Sequence, residues 1–414
     1  MAVVLIAIPI LAAAVALAIG SNRLRPAVLP PAAAAHLGCS IYLLFGAQNA
    51  GAMPWLALDP PGCLVLLLLS VLFLICSFYS VGYLRERHEL SNRIFCVCLL
   101  LFLATTTLVV CSMHLGLMWV AIEATTLSTA PLIYFNRTQR SIEATWKYLL
   151  IGSVGIALAL LGSFFLAYAS VRPGAVSSLL FGDLLREAPR LSKPWLHVAF
   201  ILLLVGYGTK MGLAPMHTWK PDAYGEAPGV VGALLAGGVT NCAFLALVRV
   251  DHICRAAGET AYTGRLLIFM GLLSMAFAAV FMVGQRDFKR MLAYSSVEHM
   301  GILTLGVGVG GGALFGSLLH MLNNGMTKGV LFLSAGNIHR AYGARTTDEV
   351  RGAIRRLPLS GTLFLFGFLA ITGSPPFGPF VSEFSILNGA LDARRFVVGA
   401  AFLVLLAIIF IGMG

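Results

Sequence analysis

The chain has 414 residues, of which 59% are hydrophobic and only 11% are charged. A soluble globular domain carries about 25% charged residues, so this composition excludes that class. The formal net charge is +11, from 28 Lys and Arg against 17 Asp and Glu. Because the bases lie mainly between long apolar runs, they indicate the loops of a membrane protein rather than a nucleic-acid interface.

Thirteen apolar stretches can be read as membrane spans, since a helix needs roughly 20 residues to cross a bilayer. They are 1–20, 27–46, 62–84, 93–112, 115–135, 144–170, 195–214, 227–249, 266–284, 291–309, 312–339, 358–391 and 396–414. The sequence therefore predicts an all-α polytopic membrane protein with about 13 transmembrane helices.

Lys and Arg are distributed unequally between the two sides of these spans. Sixteen, including Lys220, fall on one side and nine, including Arg172 and Arg249, on the other, while Lys147, Lys210 and Lys328 stand within spans. The side richer in Lys and Arg is normally cytoplasmic. The N-terminus is therefore expected outside, in a bacterial-type inner membrane.

Proline and glycine interrupt two of the spans. The seventh continues into GTKMGLAPMHTWKPDAYGEAPG (208–229), and the twelfth contains ITGSPPFGPFVSEF (371–384). Proline removes a backbone donor and clashes one turn back, so each helix must break there. Broken helices in matching positions of two halves point to a transport site.

The two breaks lie five spans apart, and a repeat with an odd number of spans must be inverted. The sequence thus predicts N-terminal helices over 1–92 and two inverted five-helix repeats over 93–250 and 264–414, with broken seventh and twelfth helices.

A few ionisable residues fall within the spans, where a charge costs about 2.5 to 3.5 kcal/mol and marks a candidate functional group. The proton-transfer candidates are Glu123, Lys210, His320, Lys328 and Glu383. We expect Glu123 to pair with Lys210, because moving a carboxylate partner switches the charge of a buried lysine. The alternative is a static ion pair that fixes helix register.

One helix face carries a polar stripe. His320, Asn324 and Lys328 follow at i, i+4 and i+8, which places them on the same side of a helix. A single histidine there is more often a satisfied core residue, but a stripe that ends in lysine favours a proton path.

Further polar groups lie near the ends of spans. His217, Lys220, Asp222 and Glu226 surround the first break, where they either take up protons or face water. Glu298 and His299 follow the basic run DFKRM near the start of the tenth span. They are either proton uptake or release groups or side chains that extend to the membrane surface.

No cofactor or metal site is expected from the sequence. None of the eight cysteines forms a CxxC pair, the spacing of a zinc or iron–sulfur ligand set. The chain also lacks a Walker A loop and an HExxH motif, and the glycine-rich GVGVGGG run (306–312) lies between spans without a strand. Electron transfer is therefore assigned to partner subunits.

Four stretches together resemble a known family: GTKMGLAPMHTWKPDAYGEAP, DFKRMLAYSSVEHMG, HMLNNGMTKGVLFLSAG and GSPPFGPFVSEFSIL. They are similar to the antiporter-like proton-pumping subunits of the complex I superfamily, in particular the hydrogenase-4 component F branch found in formate hydrogenlyase and group 4 [NiFe] hydrogenases. The resemblance covers residues 60–414.

The resemblance implies roles for individual residues. Glu123 would be the glutamate of the fifth helix, Lys210 and Lys328 the lysines of the seventh and eleventh, and Glu383 the ionisable group of the twelfth. Most complex I relatives carry a lysine in the eighth helix where this chain has Asn241. Asn241 and Asn324 are accordingly candidates for hydrating the path. Because relatives continue with another helix, the resemblance also implies truncation after Gly414.

Four functions remain open from the sequence, and the last of them is a purely structural membrane anchor. The first is a non-catalytic, proton-translocating subunit of a membrane-bound hydrogenase or related oxidoreductase, with peripheral and membrane subunits as partners. The second is a subunit of NADH:quinone oxidoreductase. The third is a cation/proton antiporter subunit that works without redox partners and carries protons or sodium.

Overall fold

In a computed structural model, residues 1–45, 53–87, 89–171 and 178–413 are described, and they form eighteen α-helices and no β-strand. The helices are α1 Ala2–Ala18, α2 Leu29–Phe45, α3 Pro60–Glu86, α4 Arg93–Cys111, α5 Leu115–Ile133, α6 Gln139–Ala169, α7 Phe181–Glu187, α8 Lys193–Met211, α9 Trp219–Glu226, α10 Gly229–Leu234, α11 Thr240–Ala256, α12 Thr260–Met282, α13 Phe288–Val309, α14 Gly312–Tyr342, α15 Ala353–Arg356, α16 Pro358–Ile371, α17 Gly378–Asp392 and α18 Phe396–Met413.

The all-helical membrane prediction is confirmed. Within the described ranges, nine helical segments are long and apolar enough to span a bilayer, and α1 and α16 are shorter apolar helices.

The sixth span begins at Gln139 rather than at 144. The reason is a cap: the Thr138 side chain accepts a hydrogen bond from the Ser141 backbone amide at 3.1 Å, which extends the helix into its polar first turn.

Both predicted interruptions are present. The seventh span is α8, which ends at Met211, and the twelfth consists of α16 and α17 with the segment 372–377 between them. Gly212 and Gly373 follow the first half of each broken helix with φ of +74° and +67°, a conformation that glycine adopts without strain. Each break also contains a cis X–Pro peptide, Ala214–Pro215 and Pro375–Pro376.

The chain divides into two compact units. The first comprises 1–207 and 245–258, and the second comprises 208–244 and 259–414. The expected boundaries of the repeats, 1–92, 93–250 and 264–414, concern sequence repeats rather than compact units and stay a prediction. Gly414 and Arg172 lie outside the described residues.

A buried arginine organises the first unit. The Arg249 guanidinium makes a two-bond pair with Asp59, at 2.6 and 3.0 Å, and also donates to the backbone carbonyls of Val110 and Ser112. The prediction that Arg249 is a charge on the outer side of the spans is wrong, because its side chain lies within α11 and is only 4% exposed. Lys220, predicted on the opposite side, is also buried. Leaving out Arg249 and Lys220 removes one base from each side, so the side predicted to be richer in Lys and Arg stays the same.

Replacing Arg249 with methionine should destabilise the protein by about 3 kcal/mol, because the change leaves Asp59 and several carbonyls without their donor. Thermal unfolding in detergent measures the effect, with Arg265→Met as the control, since Arg265 is exposed and donates to the Ala261 carbonyl of its own helix. An unchanged unfolding temperature for Arg249→Met would contradict the assignment.

Glycines bring helices of the second unit close together. A Cβ on Gly301 of α13 would lie 2.7 Å from the Gly271 carbonyl of α12. A Cβ on Gly316 of α14 would lie 2.9 Å from the Ile386 amide of α17. These approaches leave no room for a larger side chain, and they place polar groups of α13, α14 and α17 within hydrogen-bonding distance.

Candidate proton-transfer site

Two buried lysines flank the first break. Lys210 lies in the last turn of α8 and Lys220 in the first turn of α9, and both side chains are almost completely shielded from solvent. The Lys220 Nζ donates to the Ser296 hydroxyl at 3.0 Å and to the Ser296 carbonyl at 3.3 Å. It also lies 5.9 Å from the centre of the Tyr224 ring. Lys220 is therefore held by neutral oxygen atoms and an aromatic ring.

A third buried lysine lies on α14. The Lys328 Nζ donates to the Leu292 carbonyl at 2.9 Å, and it lies within electrostatic range of Lys220 and Glu298. Among the described residues, neither Lys220 nor Lys328 forms an ion pair within 4.0 Å. Buried charges are normally paired, so two neighbouring unpaired lysines indicate groups that change protonation state.

His299, His320 and Glu383 form a cluster contributed by α13, α14 and α17. The His299 Nδ1 lies 2.9 Å from the His320 Nε2, and the His320 Nδ1 lies 2.8 Å from the Ser382 hydroxyl. One donor atom of Glu383 and one from each histidine lie within 4.8 Å of one another. Two imidazoles and a carboxylate can exchange protons or bind a metal ion.

The glycine of each break contacts an ionisable side chain. A Cβ on Gly212 would collide with the Lys220 methylene groups, and a Cβ on Gly373 would collide with the Glu383 carboxylate. Both glycines therefore serve the backbone conformation and the packing of the charged side chain. By this criterion Lys220 is the counterpart of Glu383 at the other break.

Three predicted uptake or release residues are buried. Glu298 and His299 lie near the middle of α13 rather than at its start. The alternative that they extend to the membrane surface is wrong, because α13 begins at Phe288. His217 does not face water either, since its ring lies against Phe277 and Phe281, at 5.6 and 6.0 Å between centroids.

Two buried asparagines offer unused amide groups. The Asn241 Nδ2 donates to the Gly237 carbonyl of a π-helical turn at 2.9 Å. Its Oδ1 and both amide atoms of Asn324 have no hydrogen-bond partner among the described residues. Buried polar groups of this kind are typically satisfied by ordered water.

Glu123 lies in the first unit, on α5. Its carboxylate accepts hydrogen bonds from Ser153 at 3.2 Å and from Thr126 at 3.4 Å. The expected pairing with Lys210 would join the two units and stays a prediction.

Lys220 is buried more deeply than the sequence predicts. Of the two alternatives for this residue, taking up protons or facing water, the second is wrong because its side chain is fully buried. In the structure α9 stays buried beyond the break: the Trp219 indole donates to the Thr209 carbonyl at 2.9 Å. The available signal was the large apolar neighbour Trp219 next to Lys220, which favours burial of that turn.

The Asp222 and Glu226 side chains pair with arginines of the same unit. Asp222 binds Arg290, and Glu226 binds Arg345 at 2.8 Å. They anchor α9 at its first turn and at its C-terminal end rather than face water freely.

Known proteins resemble this chain over most of its length. Residues 112–409 match the family described as "NADH:quinone oxidoreductase/Mrp antiporter, TM". The hydrogenase-4 component F homolog of Methylacidiphilum infernorum is 37% identical over 361 residues, which cover 85% of this chain and 75% of that protein. NADH-quinone oxidoreductase subunit N of Desulforudis audaxviator is 32% identical over 356 residues, 85% of this chain and 70% of that protein.

Among solved structures, a chain of respiratory complex I from Thermus thermophilus with bound aureothin matches with a TM-score of 0.82 and 27% identity, over 100% of this chain and 89% of that one. The resemblance inferred from the four sequence stretches is therefore confirmed. The chain belongs to the family of NADH:quinone oxidoreductase and Mrp antiporter transmembrane subunits.

Proposed function

We propose that this chain moves protons across a membrane through its buried lysines and carboxylates, as a subunit of a hydrogenase-type or related oxidoreductase complex. The observation that carries the proposal is that Lys220 and Lys328 are fully buried, lie within electrostatic range of each other, and donate to neutral oxygens among the described residues. Two protonated lysines repel each other in a low-dielectric interior. Protonation of one therefore favours proton loss from the other.

The polar groups of the second unit suggest the order of transfer. Lys210 and Lys220 flank the first break, Lys328 follows within electrostatic range of Lys220, and His320 lies two turns away on the same helix face. Asn324 stands between Lys328 and His320 with its amide available to water. From His320 the cluster reaches Glu383, which lines a cavity of about 280 Å³.

Asn241 cannot carry a proton as a charge, so the lysine of the eighth helix found in most relatives has no equivalent at that position. Lys220 supplies a buried ammonium in the same unit. We assign Lys220 the role of that missing lysine in proton transfer.

The partners are proposed from the relatives. The match to a hydrogenase-4 component favours a [NiFe] hydrogenase assembly in which partner subunits carry out the redox chemistry. The match to subunit N makes NADH:quinone oxidoreductase the second candidate. A bacterial inner membrane with the N-terminus outside remains the proposed location and orientation.

The first experiment is purification from native membranes in mild detergent, identification of the co-purifying chains, and reconstitution into vesicles with a pH-sensitive dye. Recovery of a nickel–iron protein with hydrogen-driven proton uptake would support the leading function, and NADH-driven uptake would support the second. Sodium-dependent proton flux with no electron donor would replace both with the cation/proton antiporter. Tight vesicles without any coupled flux would refute proton translocation.

A further inference from the structure

The cluster of His299, His320 and Glu383 has the donor set of a transition-metal site. Its three ligand atoms, two imidazole nitrogens and one carboxylate oxygen, come from three different helices and lie within 4.8 Å of one another. In a tetrahedral zinc site with bonds of about 2.0 to 2.1 Å, ligand atoms stand roughly 3.3 Å apart. Small side-chain movements would therefore bring all three onto one ion.

The hydrogen bonds of Ser382 are compatible with a metal-binding tautomer of His320. The Ser382 hydroxyl has one proton, and the Pro379 carbonyl of its own helix can accept it at 2.9 Å. With the proton on that bond, the Ser382 oxygen accepts from the His320 Nδ1–H at 2.8 Å. This leaves the lone pair of the His320 Nε2 directed at the cluster. A metal-binding histidine is typically oriented by just such a hydrogen bond from its other nitrogen.

His299 can provide the remaining nitrogen ligand if its ring changes to the other tautomer. In the hydrogen-bonded cluster its Nδ1–H donates to the His320 Nε2 at 2.9 Å. Its Nε2 is buried and has no hydrogen-bond partner among the described residues. Moving the proton from Nδ1 to Nε2 frees the Nδ1 lone pair for a metal ion, which would take the position of the shared proton.

Glu383 supplies negative charge and a route to the site. Its side chain is 7% exposed, and its carboxylate is the one ionisable group of a cavity of about 280 Å³ whose other lining residues, Thr372 and Gly373 apart, are apolar. The neighbouring Glu298, whose Oε2 has no partner among the described residues, adds a second carboxylate near Lys328. Glu298 also lies within electrostatic range of Glu383, so its charge would help Glu383 to offset a dication against the opposing charge of Lys328.

We propose that His299, His320 and Glu383 bind one Zn²⁺ or a similar borderline transition-metal dication, with a water molecule as fourth ligand, and that the bound ion blocks proton transfer between His320 and Glu383. The inference deepens the proposed function, since the same residues lie on the suggested proton path. The site could not be predicted from the sequence, because its ligands lie far apart in the chain and have no motif spacing.

Metal binding can be tested without turnover, so its result is independent of the proposed function. The purified full-length chain in detergent would be titrated with Co²⁺, whose visible absorption reports tetrahedral nitrogen and oxygen ligands, and then with Zn²⁺ in competition. We expect one equivalent bound with tetrahedral absorption. His299→Gln and Glu383→Gln should each weaken binding at least about tenfold.

His252→Gln is the matched control, since His252 is exposed on α11 and its loss should leave binding unchanged. Ser382→Ala provides a second variant that keeps all three ligands and should weaken binding by about 10- to 100-fold through the His320 orientation. Wild-type protein that shows only octahedral or no absorption would overturn the proposal. So would binding that the cluster variants leave intact.

Discussion

Replacing Lys220 with leucine is expected to lower proton translocation by roughly 100-fold or more, the range in which positioned proton-transfer groups contribute. The side chain is fully buried, its Nζ is bound to Ser296, and it lies within electrostatic range of Lys328. Leucine has a similar apolar volume but cannot carry a proton. Proton flux into vesicles containing the reconstituted complex measures the effect.

The same substitution separates a functional role from a structural one. A buried charge without an ion-pair partner costs free energy, so the unfolding temperature of Lys220→Leu should stay the same or rise. Lys220→Arg should retain the charge without restoring flux, because arginine does not release its proton in proteins. If Lys220→Leu pumps normally, the assignment of Lys220 is wrong.

Lys147→Leu is the matched control. Lys147 is 44% exposed and pairs with Glu143 one turn earlier on α6, as the i, i+4 spacing predicts. An exposed pair of this kind contributes about 0 to 1 kcal/mol. Its loss should change neither flux nor stability measurably.

The helices and their interruptions were predictable because they depend on local properties of the chain. Hydropathy over about 20 residues locates a span. Pro215, Pro375 and Pro376 mark the breaks, because proline interrupts a helix whatever its tertiary surroundings are. The i, i+4, i+8 spacing of His320, Asn324 and Lys328 is likewise a local property, and all three side chains are buried on α14, while their role in proton transfer stays a prediction.

Burial of single charges was not predictable in the same way. Lys220 and Arg249 both stand beside segments that look like loops, and only the folded chain brings Ser296 to the first and Asp59 to the second. The cluster of His299, His320 and Glu383 depends on the close approach of α14 and α17 at Gly316. Contacts of this kind are set by tertiary packing, which a hydropathy pattern does not predict.

Replacing Lys210 with methionine is expected to abolish proton translocation while the redox activity of partner subunits is partly retained. Lys210 is buried in the last turn of α8, directly before the first break. Methionine fills a similar space without a titratable group. When both are measured on the same preparation, proton flux should therefore be lost while electron transfer is partly retained. Full pumping by this variant would refute the proposed mechanism.

Lys193→Met is the control on the same helix, because Lys193 is exposed in the first turn of α8, where its loss should leave flux unchanged. The predicted pairing with Glu123 adds a sharper test. If the two side chains act as one proton-transfer unit, Glu123→Gln and Lys210→Met should each remove nearly all flux, and the double variant should be no worse than either. Strictly additive losses would mean that Glu123 and Lys210 act independently, and the switching of Lys210 would then have to come from Lys220 and Lys328 within the second unit.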